Sequence, residues 1–218
     1  MKQIAKKIWF WIKTVILSLF ILSLFFVILY KFVPVYYTPQ MLKPQIAHQW
    51  KPLEEISPQM VRAVIASEDY LFLIHNGFDA DGENLRLNRG ARILYHENKT
   101  ISEQTARSVF LFPGEGYVNT VLESYYTVLI ELIWGKERIM EVYLNSVEMG
   151  KNLYGVEATA QSYYSVPAKD LTAFEAAGIA SCLINPKELN PCEPNTYLLR
   201  RQAKIMGIME EMIEIQWK

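Results

Sequence analysis

The chain has 218 residues, room for one globular domain of about 150–200 residues and an accessory segment. Its formal net charge of −1 gives no basic field to draw in nucleic acid. Only Cys182 and Cys192 are present, which does not by itself imply a disulfide. There is no CxxC or HExxH spacing, no Gly-rich phosphate loop and no GxSxG elbow, so zinc, nucleotide and serine-hydrolase chemistry lack support.

The apolar share of the chain is 51%, and much of it lies near the N-terminus. From Thr14 to Tyr30 no residue is charged, and Trp9 to Lys13 extend the run. This predicts one membrane-spanning helix. Lys2, Lys6, Lys7 and Lys13 precede it and only Lys31 follows closely. The positive-inside rule then puts the N-terminus in the cytoplasm. The run ends in FVPVYYTP, which is bulky, and holds no A-x-A-like cleavage site, which favours an uncleaved anchor over a signal peptide. Residues 34–56, with Pro34, Pro39, Pro44 and Pro52, read as an extended linker. The division is therefore 1–33 tip and anchor, 34–56 linker, 57–218 globular domain.

In that domain Ser57-Pro58 starts a helix reaching about residue 70, since Ser suits an N-cap and Pro the first turn. Residues 77–99 are polar and Gly-bearing, and read as one short helix among loops. Helices follow from Ile101 to Phe110, and from Tyr117 to Trp134 with a core stripe of Val118, Val121, Leu122, Tyr125, Leu129, Leu132 and Ile133. Gly135 ends that long helix, and others run from Lys136 to Val147 and from Gly155 to Tyr164. Thr172 and Glu175 form a capping box before FEAAGIASCL. A last helix covers Tyr197 to about Glu214. No alternating strand pattern and no internal repeat appear, so the fold class is mainly α.

Two carboxylates stand out. Val61, Val64, Ile65 and Glu68 share one helix face, so Glu68 sits where apolar packing is expected. Burial should raise its pKa and let it exchange a proton near neutral pH. The plainer reading is a helix-end Glu paired with His75. Glu123 lies off the Leu/Val stripe, beside Asn119, Thr120, Tyr126 and Thr127, and is expected to be better solvated. Such a pair suits glycosyl chemistry, one carboxylate handling the proton and the other charge. His48, His96, and the Arg200-Arg201 and Lys204 face read as surface, and the Tyr125-Tyr126 and Tyr163-Tyr164 strips as core.

From about Gln59 to Met209 the chain resembles glycosyltransferase family 51, the peptidoglycan glycosyltransferases, and among them the monofunctional biosynthetic transglycosylases. The motif E-D-x-x-F-x-x-H-x-G stands as Glu68, Asp69, Phe72, His75 and Gly77, followed by Phe78-Asp79. K-x-x-I-x-E-x-Y-L-N stands as Lys136, Ile139, Glu141, Tyr143, Leu144 and Asn145. Gly155, Glu157 and Tyr163 match a Y-G-V-E-A-x-A-Q-x-Y-Y pattern, and Arg200 to Met209 an R-R-Q-x-x-I-x-x-x-M run. The resemblance implies a lysozyme-like helical domain with a small membrane-proximal jaw, one N-terminal transmembrane helix, and a catalytic domain facing the periplasm from the bacterial inner membrane. It implies polymerisation of lipid II into glycan strands with inversion and release of polyprenyl pyrophosphate. Glu68 would be the general base and Glu123 would assist the leaving group. Asp69, Phe72, His75, Thr100, Glu103, Gln104, Arg107 and Asn145 would bind substrate.

The second motif of that family reads close to G-x-S-T-I-x-Q-Q-x-x-K-N, and here the aligned residues run from Glu97 to Ser108. The Gly and Ser are replaced by Glu97 and Lys99, Glu103 stands for a Gln, and Arg107 for the Lys, which keeps the charge. In the third motif, R-K-x-x-E, Asn119 and Thr120 stand for the two cations. Each lost charge-assisted contact is expected to cost about 1.5–3 kcal/mol. The alternative function is thus a catalytically impaired relative that binds lipid II or glycan and scaffolds cell-wall synthesis. No cofactor is required by the sequence; a divalent cation such as Mg is the one candidate. The expected partners are lipid II, the growing strand, the membrane and other cell-wall synthesis proteins, and no nucleic acid.

Overall fold

The structure, a computed structural model, describes residues 2–79 and 99–212 together with Ile215 and Trp217. The short helix and loops expected over 77–99 fall largely outside the described residues, as does His96. The chain forms two compact units, residues 1–33 and 34–218.

The first unit is α1 (Lys2–Phe32). Its stretch Lys6–Phe32 has a mean hydropathy of 2.6 and is only 6% buried, so it is not a core helix of a soluble domain. Its length and composition suffice to cross a membrane.

The second unit is built from α2 (Pro58–Glu68), α3 (Ile101–Phe110), α4 (Tyr117–Ile133), α5 (Lys136–Ser146), α6 (Val156–Tyr164), α7 (Ala173–Cys182) and α8 (Thr196–Glu211). The expected starts hold for chemical reasons. Ser57 caps α2 by accepting the Gln59 N–H, and its hydroxyl donates to the Leu171 carbonyl at 2.7 Å. Thr100 with Glu103, and Thr172 with Glu175, form capping boxes on α3 and α7. Asn195 caps α8. Helices α2, α7 and α8 pack together, and α3 packs on α4 and α5.

Among the described residues three short strands also form: β1 (Ala47–His48), β2 (Glu148–Gly150) and β3 (Leu153–Tyr154), ordered β1-β3-β2. β1 runs parallel to β3 and β2 antiparallel to it. Strands of two or three residues are too short to show alternation in sequence. Residues 34–56 belong to the second unit and are tied to it by β1 and by Asn145. His48, expected at the surface, is half-buried, and its Nε2 meets the Asn145 carbonyl at 3.0 Å.

Helix α4 departs most from the sequence reading. Its buried residues are Glu123, Thr127 and Ile130, followed by Trp134. The Leu/Val row read as core faces outward instead: Val118 is 68% exposed and Leu132 78%, with Val121 and Leu122 also exposed. Tyr125, Leu129 and Ile133 are half-buried. Periodicity locates an apolar face but not what that face meets.

Candidate active site

Glu68 ends α2 at the junction between the two helix groups. Its side chain is 14% exposed and its Oε1 lies 3.4 Å from an Arg201 guanidinium nitrogen. From the other side, the Gln104 amide of α3 donates to Oε2 at 3.2 Å. Burial pushes the Glu68 carboxyl above the usual carboxylate range, the Arg201 charge and the Gln104 and Ser67 hydrogen bonds pull it back, and Asp69 adds a push upward. The raised carboxyl expected from the helix face is present. The pairing with His75 is not, because His75 is turned onto Asp69.

Arg201, read as part of a solvated face, is 1% exposed. Its Nε donates to the Ser181 carbonyl at 3.1 Å. The signal for it was in the sequence. Leu198, Arg201, Ile205 and Met209 fall on one stripe of α8 and all are buried, so Arg201 interrupts an apolar face as Glu68 does on α2.

Most of the first motif builds the support for Glu68. Asp69 is fully buried and accepts the Ile101 N–H at 3.0 Å, joining the end of α2 to the start of α3. His75 Nε2 donates to Asp69 at 2.8 Å while its Nδ1 accepts the Gly77 N–H at 3.1 Å, which fixes the tautomer. Thr100 donates to the Gly77 carbonyl at 2.6 Å. Gly77 has φ +91°, and a Cβ there would stand 3.0 Å from side-chain carbons of Thr127 and Glu131, so only glycine fits. Phe72 is fully buried, 4.6 Å under the Lys136 ammonium, which itself pairs with Glu131 at 2.6 Å.

The K-x-x-I-x-E-x-Y-L-N residues are also supports. Glu141 pairs with Arg138 and accepts the Leu53 N–H. Asn145 is fully buried and spent on Lys51, accepting its N–H and donating to its carbonyl, both at 2.8 Å, with a second donation to Glu141. Its amide is not turned to the cleft. The Tyr143 hydroxyl donates to Gln104 Oε1 at 3.3 Å, which orients the amide so that its NH₂ faces Glu68. The sequence placed Tyr143 in this motif without giving it a role.

The second carboxylate belongs to a separate cluster. Glu123, expected to be better solvated, is 3% exposed; the reversed face of α4 carries it inward. Lys99 Nζ lies 2.7 Å from its Oε1 and Arg107 2.9 Å from its Oε2. Arg107 also donates to the Gly114 carbonyl, as does Asn119. Glu103 turns its carboxylate onto the Thr100 N–H at 2.8 Å, and burial raises its pKa foremost. Gln104 links the two clusters: the same Nε2 that serves Glu68 reaches the Lys99 carbonyl at 3.3 Å. Lys99, Gln104 and Arg107 line one wall of a cavity of about 170 Å³, and Gln40, Glu148 and Tyr154 line its other side.

The structure thus brings Glu68, Asp69, His75, Thr100, Gln104, Arg107 and Glu123 into one connected system. It leaves Phe72 in the core beneath Lys136 and Asn145 among the supports of α5. Among the described residues no group of three or more His, Cys, Asp or Glu is placed to hold a metal. The carboxylate nearest the cations, Glu123, is already engaged by both. Cys182 is buried and Cys192 exposed, and both are free thiols.

Residues 38–210 match the family model described as Transglycosylase. The chain is 46% identical over 175 residues to a biosynthetic peptidoglycan transglycosylase of Bacteroides thetaiotaomicron, covering 77% of this chain and 68% of that protein. It is 44% identical over 168 residues to one of Bdellovibrio bacteriovorus, covering 74% and 65% respectively. A Caulobacter vibrioides protein of the same name is 45% identical over 163 residues, 72% of this chain and 69% of its own length. The chain spans about two thirds of the length of these relatives. With a matched domain covering most of the second unit and such identities over most of the sequence, the chain belongs to the transglycosylase family.

Proposed function

We propose that this chain is a membrane-anchored peptidoglycan glycosyltransferase that polymerises lipid II into glycan strands. It works at the outer face of the bacterial inner membrane, with its N-terminus in the cytoplasm. The observation that carries the proposal is the Glu68 carboxyl. It is held above its ordinary range by burial, gripped from two sides by Arg201 and Gln104, and joined through Gln104 to a cation-lined cavity.

The chemistry follows from those groups. Glu68, ionised, takes the proton from the 4-hydroxyl of the acceptor sugar as that oxygen forms a bond to the anomeric carbon of the donor. The bond from that carbon to the diphosphate oxygen breaks, and its electron pair leaves with the polyprenyl diphosphate. Attack from the opposite face inverts the anomeric centre. The leaving group needs positive charge, and the Arg107 fork suits phosphate oxygens. Glu123 positions that guanidinium, which deepens the role expected from sequence. Water is not the nucleophile in this reading, and no metal is assigned a step.

Two apolar surfaces support a lipid-linked substrate. One is α1. The other is the outward row of α4, with Tyr117 84%, Val118 68% and Leu132 78% exposed, a face suited to lying in a lipid interface. Peptidoglycan transglycosylase is also the printed name of the relatives.

The test is lipid II polymerisation by the full chain in detergent, beside Glu68→Gln. Glycan product from the native chain, reduced by about 10²–10⁴-fold in Glu68→Gln, is the expected result. Equal rates would remove Glu68 as the base. No product from either, with lipid II still bound, would leave a non-catalytic binder.

A further inference from the structure

Among the described residues two arginines tie α2 to α8, one at each end of their contact. Arg201, near the start of α8, reaches Glu68 at the end of α2 with 3.4 Å between nitrogen and Oε1. Further back along α2, Arg62 reaches the opposite end of α8. One of its terminal nitrogens donates both to the Met209 carbonyl and, at 2.7 Å, to the Met212 carbonyl. Met209 lies in the last turn of α8 and Met212 just past its end, where helix carbonyls have no partner further along the helix. A guanidinium there also meets the negative end of the helix dipole. Higher numbers on α8 meet lower numbers on α2, so the two helices run antiparallel. Their ties stand about 9 Å apart along α2 and about 12 Å apart along α8.

Two fixed points set a register, whereas one leaves a helix free to pivot. At 3.4 Å the Arg201 contact is at the outer limit of a hydrogen bond, so a small shift of α8 would decide whether it forms. The first half of α8 is otherwise bound to α7, through Arg201 Nε on the Ser181 carbonyl and the Gln202 amide on the Phe174 carbonyl. Arg62 instead binds α8 to the helix that carries Glu68. It does so without acting on that carboxyl by its own charge. The groups that act there are Arg201, Gln104, Ser67 and Asp69, with the Tyr143 hydroxyl also facing it. Glu54, Glu137 and Glu210 line the cavities beside Arg62, yet Arg62 spends its hydrogen bonds on the two carbonyls. We propose that Arg62 is a positioning residue for the transferase site: by holding the end of α8 against α2, it keeps the Arg201 guanidinium within reach of the Glu68 carboxylate. This rests on the transferase reading above.

The experiment uses the full chain in detergent with Arg62→Met, Arg62→Lys, Arg201→Met and the double variant Arg62→Met/Arg201→Met. Three quantities are read. One is the acid limb of kcat/KM on lipid II. Another is the titration midpoint of the Glu68 carboxyl, by carbon NMR of chain labelled at its glutamate side chains, with the signal assigned by its loss in Glu68→Gln. The third is melting temperature. In Arg62→Met the limb and the midpoint should both rise by about half to one pH unit, part of what an opposite charge this close supplies. At a fixed pH on the limb the rate should fall about three- to tenfold, with the alkaline plateau within about twofold of native. Arg62→Lys keeps a charged donor and should keep most of the native profile. In the Arg201→Met background Arg62→Met should move neither quantity further, because its effect passes through Arg201. A lowered melting temperature with limb and midpoint unmoved would reduce Arg62 to a structural tie and overturn the assignment. So would an equal shift in the Arg201→Met background. If Arg62→Met did not fold, Arg62→Gln takes its place with the same expectations. If the native chain made no polymer, the transferase reading would fall. The midpoint alone would then decide: an Arg201-dependent rise supports the positioning role, and an unmoved midpoint sinks it.

Discussion

At Glu68 burial, two neighbouring charges and two hydrogen bonds act on one carboxyl group, and in the proposed reaction their balance sets the pH at which it serves as base. Burial is the largest and favours the neutral acid; the Arg201 charge is the next and opposes it. A general base must be ionised, so activity should fall as pH drops through the raised value. Arg201→Met keeps the length of the side chain and removes its charge. The carboxyl then loses its main stabilising partner and its pKa rises further. The acid limb of kcat/KM should accordingly move to higher pH, while the rate on the alkaline plateau falls less. An unmoved acid limb would mean that Arg201 serves packing alone. His75 is not part of this balance. With one ring nitrogen accepting from Gly77 and the other donating to Asp69, it holds the 69–77 turn in shape.

At the scale of elements, α4 is the informative case. Its residues at Glu123, Thr127 and Ile130 point in and its Leu/Val row points out. A helix whose apolar face is already exposed loses little when that face is made polar. Val118→Glu with Leu132→Glu should therefore leave the melting temperature in detergent within a few degrees. Polymerisation of lipid II in bilayer vesicles should fall well below that in detergent. A large drop in melting temperature would place the row in a packed interior after all. The same helix shows where the sequence stopped being legible. The starts at Ser57 and Thr172 were readable because capping is local, each acting within three residues; Thr100 and Asn195, which were not read as caps, act over the same span. Which face of α4 meets the core was not, because period gives a direction without naming the medium on either side. Glu68 was found since it broke an apolar stripe. Arg201 broke one equally, and would have been found by the same test applied to α8.

For the whole molecule, the anchor and the catalytic unit answer one problem. The substrate proposed above, with its long polyprenyl tail, would stay in the bilayer, and a tether raises the local concentration of a protein there. Removing residues 1–33 should lower the rate on vesicle-borne lipid II by about a hundredfold and change it little on detergent-dispersed substrate. Equal losses in both would show that α1 supports the catalytic unit itself. Within that unit the family motifs divided in a way that spacing did not foretell. Most of their residues, from Asp69 and Gly77 to Lys136 and Asn145, are scaffold, and a few reach the cleft. Pattern matching cannot separate the two groups, since both are equally fixed in type; hydrogen-bond partners do. Gln104 is the residue where the groups meet. Its carbonyl is taken by Tyr143, and its nitrogen serves both Glu68 and the Lys99 backbone. The amide therefore cannot turn over without breaking contacts at both ends. In the proposed reaction it works as a strut of set length between the Glu68 carboxyl and the chain that carries the cations, so that the place where one sugar–oxygen bond is made and the place where another is broken would keep a constant spacing from one added sugar to the next.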